Sequence, residues 1–237
     1  MAIDTGKPPI APERRLYTAA AVLVALVAFA GFARSYYLKG AFGTPELPAL
    51  VHVHAVVMTL WIATFIAQAR LVAARRVDLH RRLGLFGAAL AGTVLVVGAA
   101  TAIEAARRGV SPGPPPLVFL AIPLAELVLF ALFVGTALWM RRRSDVHKRL
   151  MLLATLSILT PAIARLPIDA LHSAGLPAFF AVTDVIVLAC VAWDTARNRR
   201  LHPAFGWGVP LLLLSQPARV LLAGSPAWMA FAQWLVS

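Results

Sequence analysis

Cysteine is almost missing from this chain. Cys190 is the only one in 237 residues, and it sits inside an apolar run. One cysteine excludes an intrachain disulfide framework and any cysteine-based metal motif, and among apolar neighbours it reads as a small hydrophobe. Charge is scarce too: charged residues make up 14%, where a soluble domain carries about a quarter. Acids are scarcest, ten against 22 Lys and Arg, for a formal net charge of +12. The basic residues form short runs between apolar segments, with no continuous basic face, which argues against a nucleic-acid partner. The opening "MAIDTGKPPIAPERR" lacks a signal-peptide pattern because acids and prolines precede the apolar run. The first hydrophobic segment is therefore expected to be retained.

What abounds is hydrocarbon: 60% of the residues are hydrophobic. A bilayer core of about 30 Å takes about 20 apolar residues as a helix. Seven stretches qualify, at 15–36, 52–74, 83–105, 117–140, 149–169, 177–196 and 206–224. The chain is expected to be one all-α transmembrane domain over residues 1–237, a seven-helix bundle in contact with the lipid bilayer. The tail 225–237, "SPAWMAFAQWLVS", is too short to span, and its two tryptophans suit an interfacial segment.

Lys and Arg counts orient the bundle. Sixteen fall on the side of the N-terminus, four on the other, and Arg165 and Arg219 lie within spans. This bias predicts the N-terminus inside and the C-terminus outside, as a multi-pass protein of a bacterial inner membrane. The opposite turns, "LKGAFGTPELPAL" and "RRGVSPGPPPL", are rich in the Gly and Pro that break helices.

One pattern occurs twice. "RVDLHRRLG" starts at Arg76 and "RSDVHKRLM" at Arg143; both spell R-x-D-x-H-[RK]-R-L, with His80 matching His147. Each copy joins a span pointing one way to a span pointing back, so the unit reads as a duplicated helical hairpin. In the structural reading Asp78 and Asp145 are N-caps of the following spans. Arg81, Arg82, Lys148 and Arg149 snorkel to lipid phosphates. In the functional reading His80 and His147 face each other across a pseudo-twofold axis and ligate a haem iron or another metal ion. The Asp two residues before each His would orient its second nitrogen.

Ionisable residues inside spans are functional candidates because their burial in lipid is costly. Glu126, Arg165, Asp184 and Arg219 are four such residues, all central or in the outer half. An Arg165–Asp184 or Arg219–Asp184 ion pair would be structural. Alternatively, two arginines and one aspartate form an outward-facing pocket with surplus positive charge, suited to a small polar or anionic ligand. At "VHVHAVVMTLW", His52 and His54 point apart on a helix but to one side on an extended strand. With His172 they are candidate ligands for copper or zinc. His54 is the inward candidate, since Met58 and Trp61 continue its face.

The stretch "LVHVHAVVMTLWIATFIAQARLVAARRVDLHRRLG" resembles a family of uncharacterised bacterial multi-pass membrane proteins. In that family a histidine starts one span and an H-R-x-L-G motif opens the next. "HKRLMLLATLSILTPAIARLP" and "RRLHPAFGWGVPLLLLSQPARVLLAG" are similar to further blocks of it, so the resemblance spans about residues 45–237. It carries no established activity. A looser likeness is to b-type haem membrane cytochromes, which place histidine pairs on facing helices near both surfaces. It implies haem b on His80 and His147, with His54 as the candidate on the outer side, and electron exchange with quinone or another membrane redox protein. His172 departs from that pattern because it falls in a loop. The two function classes are thus a haem-binding redox protein and a non-enzymatic membrane binder or transporter; enzyme activity is left open.

Overall fold

The computed structural model describes residues 12–237, with side chains from Arg15 onward. The stretch before Pro12, where the sequence shows no signal-peptide pattern, lies outside the described residues. Among them every regular element is helical. Helix α1 (Pro12–Phe32) runs on through a π turn, Ala33–Tyr37, and a 3-10 turn, Lys39–Phe42. Then come α2 (Ala49–Ala73), α3 (Val77–Arg107), the short α4 (Pro116–Phe119) and α5 (Ala121–Trp139). Next are α6 (Ser144–Ser157), α7 (Thr160–Ile163), α8 (Asp169–Ala174) and α9 (Leu176–Asn198). Helices α10 (Pro203–Ala223) and α11 (Pro226–Val236) finish the chain.

Seven segments are long and apolar enough to cross a membrane, with α4 joined to α5 and α6 to α7. They match the seven stretches expected from hydrophobicity within a few residues, except that span five ends at Ile163, six residues early, and at the starts of spans three and five. There the helices begin at Val77 and Ser144, five or six residues early. The duplicated motif is therefore not loop but the first two turns of α3 and α6. Leu, Arg and Lys are good helix formers, and neither motif contains a Gly or Pro before Gly84, so nothing stops the helix from extending past the hydrocarbon.

Packing follows from the order of contacts. Helices α2 and α3 form one tight hairpin, α5 and α6 the other, and α3 lies against α5. Around the bundle α1, α2, α3, α5, α10 and α9 touch in sequence, and α9 returns to α1. The fifth span, α6 and α7, fills the middle and touches α1, α5, α9 and α10. Its most apolar window is 72% buried, against 22–44% in the other six. A span so enclosed by its neighbours does not need a uniformly apolar surface, which is why this one carries Arg149, Thr155, Ser157 and Thr160 buried.

The central span breaks between Ser157 and Thr160. Pro161 has no N–H for the Ser157 carbonyl four residues back, so the ladder opens there. Close by, α1 approaches α7 at Gly31, where a Cβ would collide with the Ala162 carbonyl. The tail forms α11, which packs Trp228 and Ala232 against Ala106, Leu120 and Ala121. Trp228 Nε1 donates to the Leu117 carbonyl at 2.8 Å.

Candidate functional site

Two polar regions lie inside the bundle, one at the end carrying the Arg-rich turns and one towards the Pro-rich turns. At the basic end His80 and His147 occupy the fourth position of α3 and α6. The hairpin repeat brings their rings edge to face, with centroids 6.4 Å apart and planes at 83°. His147 Nδ1 lies 2.8 Å from the Ala137 carbonyl. A carbonyl only accepts, so Nδ1 carries a proton, and in the neutral ring Nε2 keeps its lone pair. His80 Nδ1 is buried with no partner. The Asp residues do not orient these rings: Ala137 does so for His147, and Asp145 accepts instead from His202 Nε2 at 3.1 Å.

Neither Asp78 nor Asp145 is an N-cap. The cap positions are Arg76 and Arg143, without side-chain cap bonds, and each Asp sits one residue inside the first turn. There a carboxylate still benefits from the positive helix end. Asp78 also lies 3.8 Å from Arg76 Nε.

Arg149 overturns the anchoring role more sharply. It is 3% exposed and faces inward. Its Nε and Nη2 donate to both oxygens of buried Asp194 at 2.8–2.9 Å, and Nη1 donates to the Asp145 carbonyl at 2.8 Å. Asp194 went unread in the sequence, although a signal was available. It lies in the last turns of α9, where the helix dipole disfavours a carboxylate, so it needs a cation from elsewhere. His202 is the N-cap of α10, with Nδ1 accepting from Ala204 N at 3.1 Å.

Towards the Pro-rich end the intramembrane charges converge, with partners different from those expected. Arg219 pairs with Glu126, Nη1 to Oε1 at 3.3 Å, both about 96% buried at 4% side-chain exposure. The other Arg219 bonds go to its own helix, Nη2 to Ser215 Oγ at 2.7 Å and Nε to the Ser215 carbonyl at 3.2 Å. Asp184 accepts from Gln216 Nε2 at 2.6 Å. Thr160, just past the break, lies 3.1 Å from Thr183 Oγ1 and within hydrogen-bonding reach of Glu126. Arg165 is exposed at the edge, over the Phe32 ring and bonded to the Pro161 carbonyl at 2.8 Å. It is close enough to interact electrostatically with Glu126 and with His54. Glu126 thus joins the two arginines and one aspartate expected from the sequence, as a fourth ionisable group of the same cluster.

Helix α2 begins at Ala49, so His52 and His54 are both helical and point apart. His52 Nδ1 meets the Tyr36 hydroxyl at 3.4 Å. His54 faces inward above half-buried Met58 and buried Trp61, its Nδ1 buried and unpartnered. His172 Nε2 donates to the Ala164 carbonyl at 3.1 Å. The three do not converge: among the described residues no group of three or more His, Cys, Asp or Glu is placed to hold a metal ion.

Fold and sites together define the class: an all-helical, seven-span membrane bundle with a histidine pair at one end and a cluster of buried charged and polar side chains towards the other. Comparison of the chain with protein-family models, curated proteins and solved structures finds no match.

Proposed function

We propose that the chain is a bacterial inner-membrane redox protein that binds haem b between His80 and His147 and exchanges electrons with quinone or another membrane redox protein. The observation that carries this reading is the facing pair itself, one imidazole with a fixed tautomer and free Nε2, the other with a buried, unpartnered Nδ1. Two imidazoles on opposite sides of one metal have centroids about 6 Å apart, given metal–nitrogen bonds of about 2 Å. The pair is 6.4 Å apart and edge to face, so the spacing suits a shared metal once at least one ring turns to aim a nitrogen at it. Two protein donors suit a metal that brings its remaining ligands with it, as haem does, better than a zinc site closed by four side chains. A haem held there supplies a one-electron couple. Residues of this chain do the rest: the Ala137 carbonyl holds His147 in the ligating tautomer, and the Arg-rich turns fix this end at the cytoplasmic surface.

The test is a visible spectrum of the detergent-purified protein, with and without dithionite, after expression with ample haem. A Soret band that His80→Ala and His147→Ala each weaken or shift is expected. An absent Soret band removes the reading, and a band that survives the double replacement moves the ligands elsewhere.

A second reading rests on the other polar region. Buried Glu126 and Arg219, exposed Arg165 and the unpartnered His54 Nδ1 make a pocket for a small polar ligand, open towards the outer surface. In that case Arg165→Ala and Asp184→Ala disturb ligand-dependent stability more than His147→Ala does, and equal effects leave the pocket unsupported.

A further inference from the structure

A row of buried polar atoms runs between these two sites. His54, Trp61 and Gln68 stand seven residues apart on α2. A step of seven residues returns to within about 20° of the same helix face. On that face His54 Nδ1, Trp61 Nε1 and Gln68 Oε1 are each buried with no hydrogen-bond partner. His80 Nδ1, on the other helix of the same hairpin, is a fourth such atom. We infer that this row carries protons through the bundle, from the polar cluster towards the Pro-rich end to the His80–His147 pair, along waters held by the four side chains.

An unpartnered polar atom is costly in any protein interior, and lipid offers it no hydrogen bond. Trp61 is the clearest case. It is 2% exposed, stands at the middle of α2, and packs edge-on against Phe130 with centroids 4.9 Å apart. Headgroups and bulk water lie about 15 Å away from that depth. Other buried polar groups in the spans have partners: Arg149 has Asp194, Arg219 has Glu126, and Thr160 has Thr183. Buried water is the ordinary complement of an atom that lacks one.

The row reaches a charged group at each end. His54 is half-buried and close enough to Arg165 to interact with its charge, and Arg165 is exposed and interacts in turn with Glu126. At the other end the Gln68 amide lies against Gly84, 3.7 Å from where a Cβ would stand. Gly84 is one turn along α3 from half-buried His80, which has His147 and Arg81 beside it. Seven residues of helix rise about 10 Å, a gap that about three waters bridge at hydrogen-bond spacing. The side chains divide the work. An imidazole takes up and releases protons near neutral pH. The indole N–H only donates and Gln68 Oε1 only accepts, so these two hold the water between the histidines. A proton bound at His54 passes by exchange along the waters to His80 and leaves at the basic end; nothing is oxidised or reduced. Polar and ionisable groups inside membrane spans mark paths of this kind.

The experiment reconstitutes the full chain in phosphatidylcholine–phosphatidylglycerol vesicles loaded with pyranine. A potassium diffusion potential set by valinomycin drives the protons. The wild type is expected to carry them faster than protein-free vesicles do. Gln68→Leu removes the acceptor oxygen and lowers the excess rate about tenfold or more, as losing one buried hydrogen-bond station predicts. Trp61→Phe keeps the ring and removes the N–H, lowers the rate likewise, and gives the answer if Gln68→Leu fails to fold. Thr93→Val is the control. Thr93 is exposed, with its hydroxyl bonded to the Ala89 carbonyl of its own helix at 3.2 Å, so the rate is expected to stay unchanged. A wild-type rate equal to that of protein-free vesicles overturns the proposal. So does an undiminished rate in Gln68→Leu and Trp61→Phe, or an equal loss in Thr93→Val. An absent Soret band removes the haem reading and leaves this rate untouched, so the two failures are told apart.

Discussion

The molecule contains two buried Arg–carboxylate pairs, and they are built differently. Arg149 grips Asp194 with three contacts of 2.8–2.9 Å, gives Nη1 to a carbonyl, and lies over the Phe205 ring. Arg219 meets Glu126 once, at 3.3 Å, and spends its other bonds on Ser215. Burial is alike, so burial alone does not separate scaffold from site. Bond saturation does. A closed bidentate fork clamps α6 to α9 and leaves nothing for a guest. A slack pair with Thr160 and Thr183 close by keeps capacity in reserve.

The most damaging way to break this comparison is at Asp194. Asp194→Ala strands Arg149 in the middle of the bundle, on the most buried span. Removing one partner of a buried, hydrogen-bonded pair costs about 3–5 kcal/mol. Loss of the folded, monodisperse peak on size exclusion in detergent, or a large drop in melting temperature, is the expected result. A variant that melts like the wild type would mean that water reaches Arg149 and that the pair is not a clamp.

Glu126→Gln is the matched change at the slack pair, and its expected cost is smaller, about 1–2 kcal/mol. Arg219 keeps both Ser215 bonds and its place over the Phe180 ring, and Gln retains an oxygen that can accept. Denaturation in mixed micelles, run beside the isosteric Asp194→Asn, checks the ranking. Equal destabilisation by the two variants would erase the distinction between clamp and site.

The same contrast explains what the sequence could disclose. Spans are legible because each needs its own run of about 20 apolar residues, a local property. His80 and His147 are legible as a pair because the repeat marks equivalent positions in two hairpins. Arg149 was misread because a basic residue beside a turn is ordinarily an anchor. Its burial depends on α6 being the central span, which is a property of all seven helices together. Arg219 and Asp184 were flagged by depth alone, but their partners, Glu126 and Gln216, depend on how α5, α9 and α10 meet. The cap lies two residues before Asp78 and Asp145 for a local reason: the helix already includes Val77 and Ser144, so the cap falls on Arg76 and Arg143.

The smallest expected effect comes from an ion pair that is neither clamp nor site. Lys39 Nζ donates to Glu46 Oε2 at 2.9 Å on the turn between α1 and α2, where the Glu46 side chain is 91% exposed. The hydrogen bond from Lys39, and then its charge, hold the Glu46 carboxyl below its usual range. A depressed carboxylate stabilises the folded state above the unfolded-state pKa, and that contribution is lost as pH falls through the lower folded value. Acidifying from neutral pH should therefore remove it below about pH 4, the ordinary range for a glutamate. Exposed pairs contribute little and are screened by salt. Glu46→Gln should leave the melting temperature at neutral pH unchanged within error, and raising the salt should not alter the comparison. A Glu46→Gln loss as large as that of Glu126→Gln would show that contact length, rather than burial and desolvation, sets the strength of ion pairs in this bundle.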